Sequence, residues 1–359
     1  MNDIGIMNEG RDNKNEMPTV LITGSAGFIG FHLSQLLLAE GFKVVGYDGM
    51  TDYYDVALKQ RRIRLLCAGN GHYLHHEAML EDESSIRGVF KEHQPDLVVH
   101  LAAQAGVRYS LENPRAYLDS NLVGTFNVLE CARDHQVKHL LMASTSSVYG
   151  AEEQMPFHEL QKVDTPLSFY AATKKANEAM SHSYAYLWGL PITMFRFFTV
   201  YGPWGRPDMA LFKFTKGIIE GKPIDIYNNG EMYRDFTFVD DLVRGIRGLI
   251  DAVPPTVADR ADNHYDPVKN DSLSQVAPWR VVNVGNSEKV ALLDFIEAIE
   301  KRLGKPAIRN YMPMQTGDVP ATWANADLLK ALTGDQPATH FSDGVNAFVD
   351  WYVDYYGEQ

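Results

Sequence analysis

TVLITGSAGFIGFHL, residues 19–33, sets an apolar run of strand type directly before three glycines, Gly24, Gly27 and Gly30. A pattern of helical type follows them. Glycines placed this way between a strand and a helix serve three purposes: a tight turn, close approach of a diphosphate, and close packing of helix on strand. Amides exposed at the helix N-terminus then bind the anion. Phe28 and Ile29, between the second and third glycines, belong to the same candidate surface. Turn glycines with no ligand are the alternative, and the next strand weighs against it. KVVGYD ends at Asp48, about twenty residues on, where a carboxylate bonds the ribose hydroxyls of an adenosine and repels a 2′-phosphate. The two signals together point to NAD rather than NADP.

Outward from this unit, short apolar runs alternate with amphipathic ones. TVLIT, KVVGYD, DLVVHLA, HLLMAS and PITMFRF read as buried parallel strands. FIGFHLSQLLLAEG, SSIRGVFKEH, NLVGTFNVLECARDH and ATKKANEAMSHSYAYLWG read as the helices between them. The fold expected is α/β, a doubly wound parallel (Rossmann) sheet with a smaller C-terminal substrate-binding lobe. Residues 1–17 are read as a disordered leader, 18–200 mainly as the NAD-binding domain, and 201–359 mainly as the substrate lobe, with some segments returning to the sheet. The polar, proline-bearing residues 253–278 read as a mobile surface loop.

The chain has 359 residues, 45% hydrophobic, with 33 Lys+Arg against 46 Asp+Glu and a net charge of -13. That balance disfavours nucleic acid and anionic membrane as partners, while leaving room for a locally basic pocket. Cys67 and Cys131 have no CxxC spacing and read as ordinary buried thiols of a reducing compartment. No apolar stretch approaches the roughly 20 residues that span a bilayer, and the polar start lacks a secretory core. A cytoplasmic protein is expected. The histidines show no metal-like clustering, His100 reads as a satisfied core residue, and HYLHH at 72–76 lies in a poorly patterned stretch. Asp240 and Asp241 read as a helix start, and no metal is expected.

Two further motifs carry chemistry. In FYAATKKANEAM, Tyr170 and Lys174 are four apart and share a helix face. A nearby ammonium favours the phenolate. Lowering a tyrosine from about 10 to about 7 requires roughly 4 kcal/mol, which a lysine and a cationic nicotinamide in a dry pocket can supply. The phenolate is then a general base for a sugar hydroxyl. A solvated helix face is the plainer reading of the same spacing. HLLMAS runs into Thr145, Ser146 and Ser147, hydroxyls at the C-terminal end of a strand, where ligands bind in doubly wound sheets; simple capping of the strand end is the alternative.

TGSAGFIG, Asp48, HLAAQAGVRYS, STSSVYG, YAATK, RFFTVYGPWGRPDMALFKF, YRDFTFVDD, VVNVGN and QTGDVPATWA occur in one order. From about residue 18 to 355 the chain resembles the extended short-chain dehydrogenase/reductase family, nearest to its UDP-glucuronate 4-epimerase branch. The resemblance implies an NAD-dependent isomerase that inverts carbon 4 of UDP-glucuronate to give UDP-galacturonate through a 4-keto sugar. It implies Tyr170 as base, Lys174 on the nicotinamide ribose, and Thr145, Ser146 and Ser147 around the 4-hydroxyl and carboxylate. Leu80, Leu101, Ala102 and Ala103 would line the cofactor. Thr199 and Arg206 would reach the sugar acid or its diphosphate, Arg234 the diphosphate, and Asp318 the uridine ribose; Arg108 would contact substrate or brace its loop. Homodimerisation through the YAATK helix and the one before it is also implied.

The sequence departs from the family pattern at Met79, where an acid often bonds adenine (Asp82 is nearby), at Thr316, where proline is common, and at Thr199, which is asparagine in the glucose type. A 4-keto uronic acid sheds carbon dioxide readily. Family decarboxylases and dehydratases carry an acid just after the Thr145 position, where this chain has Ser146 and Ser147, so epimerisation is favoured. UDP-glucose 4-epimerase, UDP-glucuronate decarboxylase and a catalytically idle NAD(H)-sensing or scaffold protein are the alternatives; intact Thr145, Tyr170 and Lys174 argue against the last.

Overall fold

A computed structural model describes residues 17–69, 71–261, 266–315 and 318–357. The expected leader, apart from Met17, and Thr316 lie outside the described residues.

Apolar runs at β1 (Thr19–Thr23), β2 (Lys43–Asp48), β4 (Leu97–His100), β5 (His139–Thr145) and β6 (Ile192–Phe197) form the middle of a seven-stranded sheet. β3 (Tyr73–Glu77) and β11 (Trp279–Val284) are its edges. The order is β11-β6-β5-β4-β1-β2-β3, and every pairing is parallel. Successive side chains go to opposite faces. Val20, Ile22, Val99, Leu141 and Phe195 pack on one side, with α1 (Phe28–Ala39), α2 (Val56–Gly69), α9 (Val239–Asp251) and α12 (Asp327–Thr333). Leu21, Val98, Leu140, Met142 and Met194 pack on the other, with α3 (Glu83–His93), α6 (Gly124–Asp134) and α7 (Phe169–Trp188). Helices on both faces make the sheet doubly wound. The winding reverses between β1 and β4, and at such a switch point the strand ends open a crevice.

The smaller lobe is a separate aromatic core under α8 (Ala210–Glu220), α11 (Leu292–Leu303) and α13 (Phe341–Gly357). Phe236 and Phe295 stack there at 3.9 Å. Short strands complete it: β7 (Thr199–Tyr201) beside β10 (Phe236–Phe238), β8 (Pro223–Ile226) beside β13 (Ile308–Tyr311), and β9 (Tyr233–Arg234) between β12 (Val290–Ala291) and β14 (Ala321–Thr322).

Several expectations change. Most of HYLHH lies in β3, an edge strand whose outer side has no strand beside it among the described residues. The described part of 253–278 holds a helical turn, α10 (Val257–Arg260), and Arg260 donates to the carbonyls of Pro255, Ser274 and Ala277. Arg280 pairs with Asp271 at 2.9 Å in the same segment. Cys67 is exposed, Cys131 buried. Asp240 and Asp241 sit in the first turn of α9, and Asp241 accepts the Ala338 and Thr339 amides, stitching α9 to the C-terminal segment. Among the described residues no helix is long and apolar enough to cross a membrane.

Candidate active site

Gly24 has φ +75°, open to glycine but strained for other residues, and a Cβ there would lie 2.8 Å from the Ala102 amide. At Gly30 a Cβ would lie 2.1 Å from the Gly24 carbonyl. The turn, α1 and the loop after β4 are therefore in backbone contact. Asp48 closes the far end: its carboxylate accepts the Ala26 amide at 3.1 Å and the Met50 amide at 2.8 Å. These surfaces enclose a cavity of about 270 Å³. Gly24, Gly27, Phe28, Ile29, Gly30, Asp48, Leu80, Leu101, Ala102, Ala103, Tyr170 and Lys174 all line it. Met79 lines it too, but Asp82 does not, because its carboxylate caps α3 through the Ser85 amide. The donor set suits a dinucleotide: side-chain-free backbone at a helix start, and an acid at the second strand end.

A larger cavity of about 1300 Å³ opens between the lobes. Arg108, Thr145, Ser146, Ser147, Thr199, Arg206, Arg234 and Asp318 line it. Arg108 pairs with Asp318 at 3.0 Å and lies over the Tyr227 ring at 4.7 Å, joining the loop after β4 to the smaller lobe. Burial pulls the Arg234 guanidinium below its usual range, Asp318 opposing and Arg108 adding to the effect. Two arginines and one acid make this end of the cavity suited to an anion.

The cavities meet at Thr145, Tyr170 and Arg206, which line both. α7 holds Tyr170 and Lys174 in place. Ser168 caps it at the Ala171 amide. Glu178, one turn beyond Lys174, accepts Arg196 from β6 in a bidentate pair, both contacts 2.9 Å, and Ser144 from β5 at 2.7 Å. Burial raises the Tyr170 phenol; the Thr145 hydroxyl bond and then Arg206 pull it back. Burial lowers the Lys174 ammonium to about 8, and its Nζ donates to the Ala143 carbonyl at 3.0 Å. Arg206 is one charge that favours the phenolate here.

Sequence reasoning missed several residues of the site. Asn121, fully buried in a π-helical segment before α6, accepts the Gln104 amide at 2.8 Å and donates to the Gln104 carbonyl and the Thr173 hydroxyl. It ties the loop after β4 to α7. Such π segments recur at functional sites, and no side-chain pattern announces them. Lys59 lines the smaller cavity near Asp48, its Nζ donating to Thr51 at 2.7 and 3.2 Å. Asp208 holds Arg206. The RPD run at 206–208 carried Asp208 in view, while no local pattern marks Lys59.

Other polar clusters have local explanations. His100 bonds Thr23 at 2.7 Å and Thr125 at 3.0 Å. His76, Glu92 and His93 cluster on the β3 edge. The two imidazole nitrogens are 2.7 Å apart, a hydrogen bond, against the ~3.3 Å between two ligands of one tetrahedral zinc.

A doubly wound sheet, a glycine turn with an acid at the end of the second strand, and Thr145, Tyr170 and Lys174 on one cavity define a short-chain dehydrogenase/reductase of the extended type. Residues 20–258 match the NAD dependent epimerase/dehydratase family, and the chain belongs to it. It is 56% identical over 333 residues to a probable UDP-glucuronate 4-epimerase of Rhizobium meliloti, covering 92% of this chain and 96% of the relative. The crystal structure of a Bacillus cereus UDP-glucuronic acid 4-epimerase, in complex with UDP-glucuronic acid and NAD, superposes with a TM-score of 0.82 at 32% identity, covering 94% of this chain and all of that one. A Thermotoga maritima UDP-glucose 4-epimerase with UDP-glucose reaches 0.78 at 25% identity, over 94% and 99% of the two chains.

Proposed function

We propose that the protein inverts carbon 4 of UDP-glucuronate, giving UDP-galacturonate through a 4-keto sugar, with NAD as its cofactor. The observation that carries this is the junction of a dinucleotide cavity and a nucleotide-sugar cavity at Thr145, Tyr170 and Arg206. NAD, when bound, supplies hydride acceptance and return at carbon 4. Tyr170 takes the proton of the 4-hydroxyl and later gives it back, and Thr145 bonds the oxygen that loses and regains it. Lys174 holds the nicotinamide ribose. Gly24, Gly27, Phe28, Ile29, Gly30, Leu80, Leu101, Ala102 and Ala103 seat the dinucleotide, and Asp48 bonds its adenosine ribose. Arg234 and Arg108 face the diphosphate, and Asp318 the uridine ribose. Anchored there, the sugar can turn while the nucleotide stays fixed. Ser146, Ser147 and Thr199 contact the carboxylate with neutral hydroxyls. In this reading residues 18–200 mainly bind NAD and 201–359 mainly the UDP-sugar.

We further propose a cytoplasmic homodimer formed through α6 and α7. Phe126 on α6 and Leu187 and Trp188 on α7 support it, being large, apolar and exposed. The two unpaired thiols agree with a reducing compartment.

The test is the product profile of purified protein given UDP-glucuronate, with carbon dioxide followed in parallel. UDP-galacturonate without gas is expected. Stoichiometric gas release, or no turnover, overturns the reading. Tyr170→Phe should retain UDP-sugar binding and lose turnover by orders of magnitude; near-normal turnover removes Tyr170 as base.

A further inference from the structure

We propose that Asp208 tempers Arg206, so that the carboxylate of the sugar acid is recognised without being clamped; this rests on the reading that the site epimerises UDP-glucuronate. Arg206 lies at the junction of the cavities, beside Tyr170 and Thr145. Its Nε and Nη2 donate to the two oxygens of Asp208 at 2.9 and 2.5 Å. Tyr53 donates to the same carboxylate at 3.3 Å and turns its ring toward the guanidinium, 5.9 Å from the centroid. Burial pushes the Asp208 carboxyl up, but Arg206 overrides it and holds it below its usual range. The guanidinium is raised in turn, against burial, first by Asp208.

Two of the five N–H donors of Arg206 are therefore committed. The edge left for a ligand belongs to an ion pair with no net charge. A lone guanidinium lining this cleft would seize a carboxylate in a bidentate pair. That would hinder the reaction proposed. Carbon 4 is inverted only if the ring turns, and the carboxylate on carbon 5 turns with it. A strong contact made before the turn and broken during it deepens the ground state and raises the barrier. Asp208, two residues along the same loop, competes with the substrate carboxylate for the guanidinium. It keeps that contact weak enough to be exchanged in each turnover.

The experiment uses the full chain with NAD bound. Calorimetry in a Tyr170→Phe background measures binding of UDP-glucuronate and UDP-glucose with and without Asp208→Asn; steady-state kinetics use Asp208→Asn alone. Asparagine keeps the shape and one acceptor but removes the charge. UDP-glucuronate should bind on the order of tenfold tighter, and UDP-glucose should change by less than about twofold. KM and kcat for UDP-glucuronate should fall together, and Asp208→Glu, which keeps the charge, should return both toward wild type. Weaker UDP-glucuronate binding in Asp208→Asn would mean that Asp208 merely orients Arg206, and overturns the proposal. An equal change for both sugars, or none, overturns it as well. Wild-type protein that fails to interconvert the two sugar acids refutes instead the functional reading beneath it.

Discussion

Gly30→Ala should both loosen the large lobe and weaken NAD binding. The added Cβ would lie 2.1 Å from the Gly24 carbonyl oxygen, 2.8 Å from its carbon and 2.9 Å from Ser25 Cα. All three are backbone atoms, so no side-chain rotation relieves the contact. Carbon and carbonyl oxygen ordinarily approach to about 3.3 Å, so α1 or the glycine turn has to shift by about 1 Å. Overpacking in a tight core costs about 1–3 kcal/mol, and a backbone neighbour puts this site at the upper end. Alanine regains about 1 kcal/mol of helix propensity over glycine, leaving a net loss of about 2 kcal/mol. In a chain of this size that lowers the melting temperature by roughly 3 °C. The shift also misplaces amides that meet the diphosphate, so NAD should bind at least about tenfold more weakly. Gly88 in α3 is the control: a Cβ there meets nothing within 4 Å, and Gly88→Ala should stabilise by up to about 1 kcal/mol with NAD affinity unchanged. Circular dichroism melts and NAD titration check both. Gly30→Ala with wild-type melting and NAD affinity would refute the argument from close approach.

Glu178→Gln leaves the Arg196 guanidinium buried without its carboxylate, a loss of about 3–5 kcal/mol in urea unfolding; a loss below about 1 kcal/mol would show that the pair does not hold α7. Asp48→Asn should narrow the preference for NAD over NADP by at least about tenfold, since it removes the charge that repels a 2′-phosphate; equal affinity of the wild type for both cofactors would refute that role. Burial raises the Glu159 carboxyl to about 7, against the Asn283 amide and Arg196. The folded state thus keeps a proton that the unfolded chain releases, so stability is lost as pH rises from about 4.5 to about 7, by on the order of 3 kcal/mol. Glu159→Gln should flatten that slope in paired melts across this window; an unchanged slope would count against it.

The central strands, the glycine turn and the YAATK helix were legible because their causes are local. A strand buried on both faces needs a continuous apolar run, a backbone contact needs glycine, and a helix sets residues four apart on one side. β3 was not legible for the opposite reason. It is an edge strand, Tyr-Leu-His-His-Glu, with only Tyr73 fully buried, so no apolar run marks it. β11 escaped because its place depends on pairing with β6, over eighty residues earlier, from Trp279 with Ile192 to Val284 with Phe197.

The candidate site divides in the same way. Sequence alone picked out the candidates for the chemistry: Gly24, Gly27 and Gly30, Asp48, Thr145, Tyr170 and Lys174. Only the tertiary structure decided how they are tuned. It set Arg206 on the cavity that Tyr170 lines, filled two donors of Arg206 with Asp208, brought Lys59 near Asp48, and used Asn121 to join the loop after β4 to α7. Such contacts cross from one element to another and depend on distance and desolvation, which a linear pattern does not encode. Composition and spacing follow from what each residue must do for its own helix or strand; charge balance in a cleft follows from where separate elements meet.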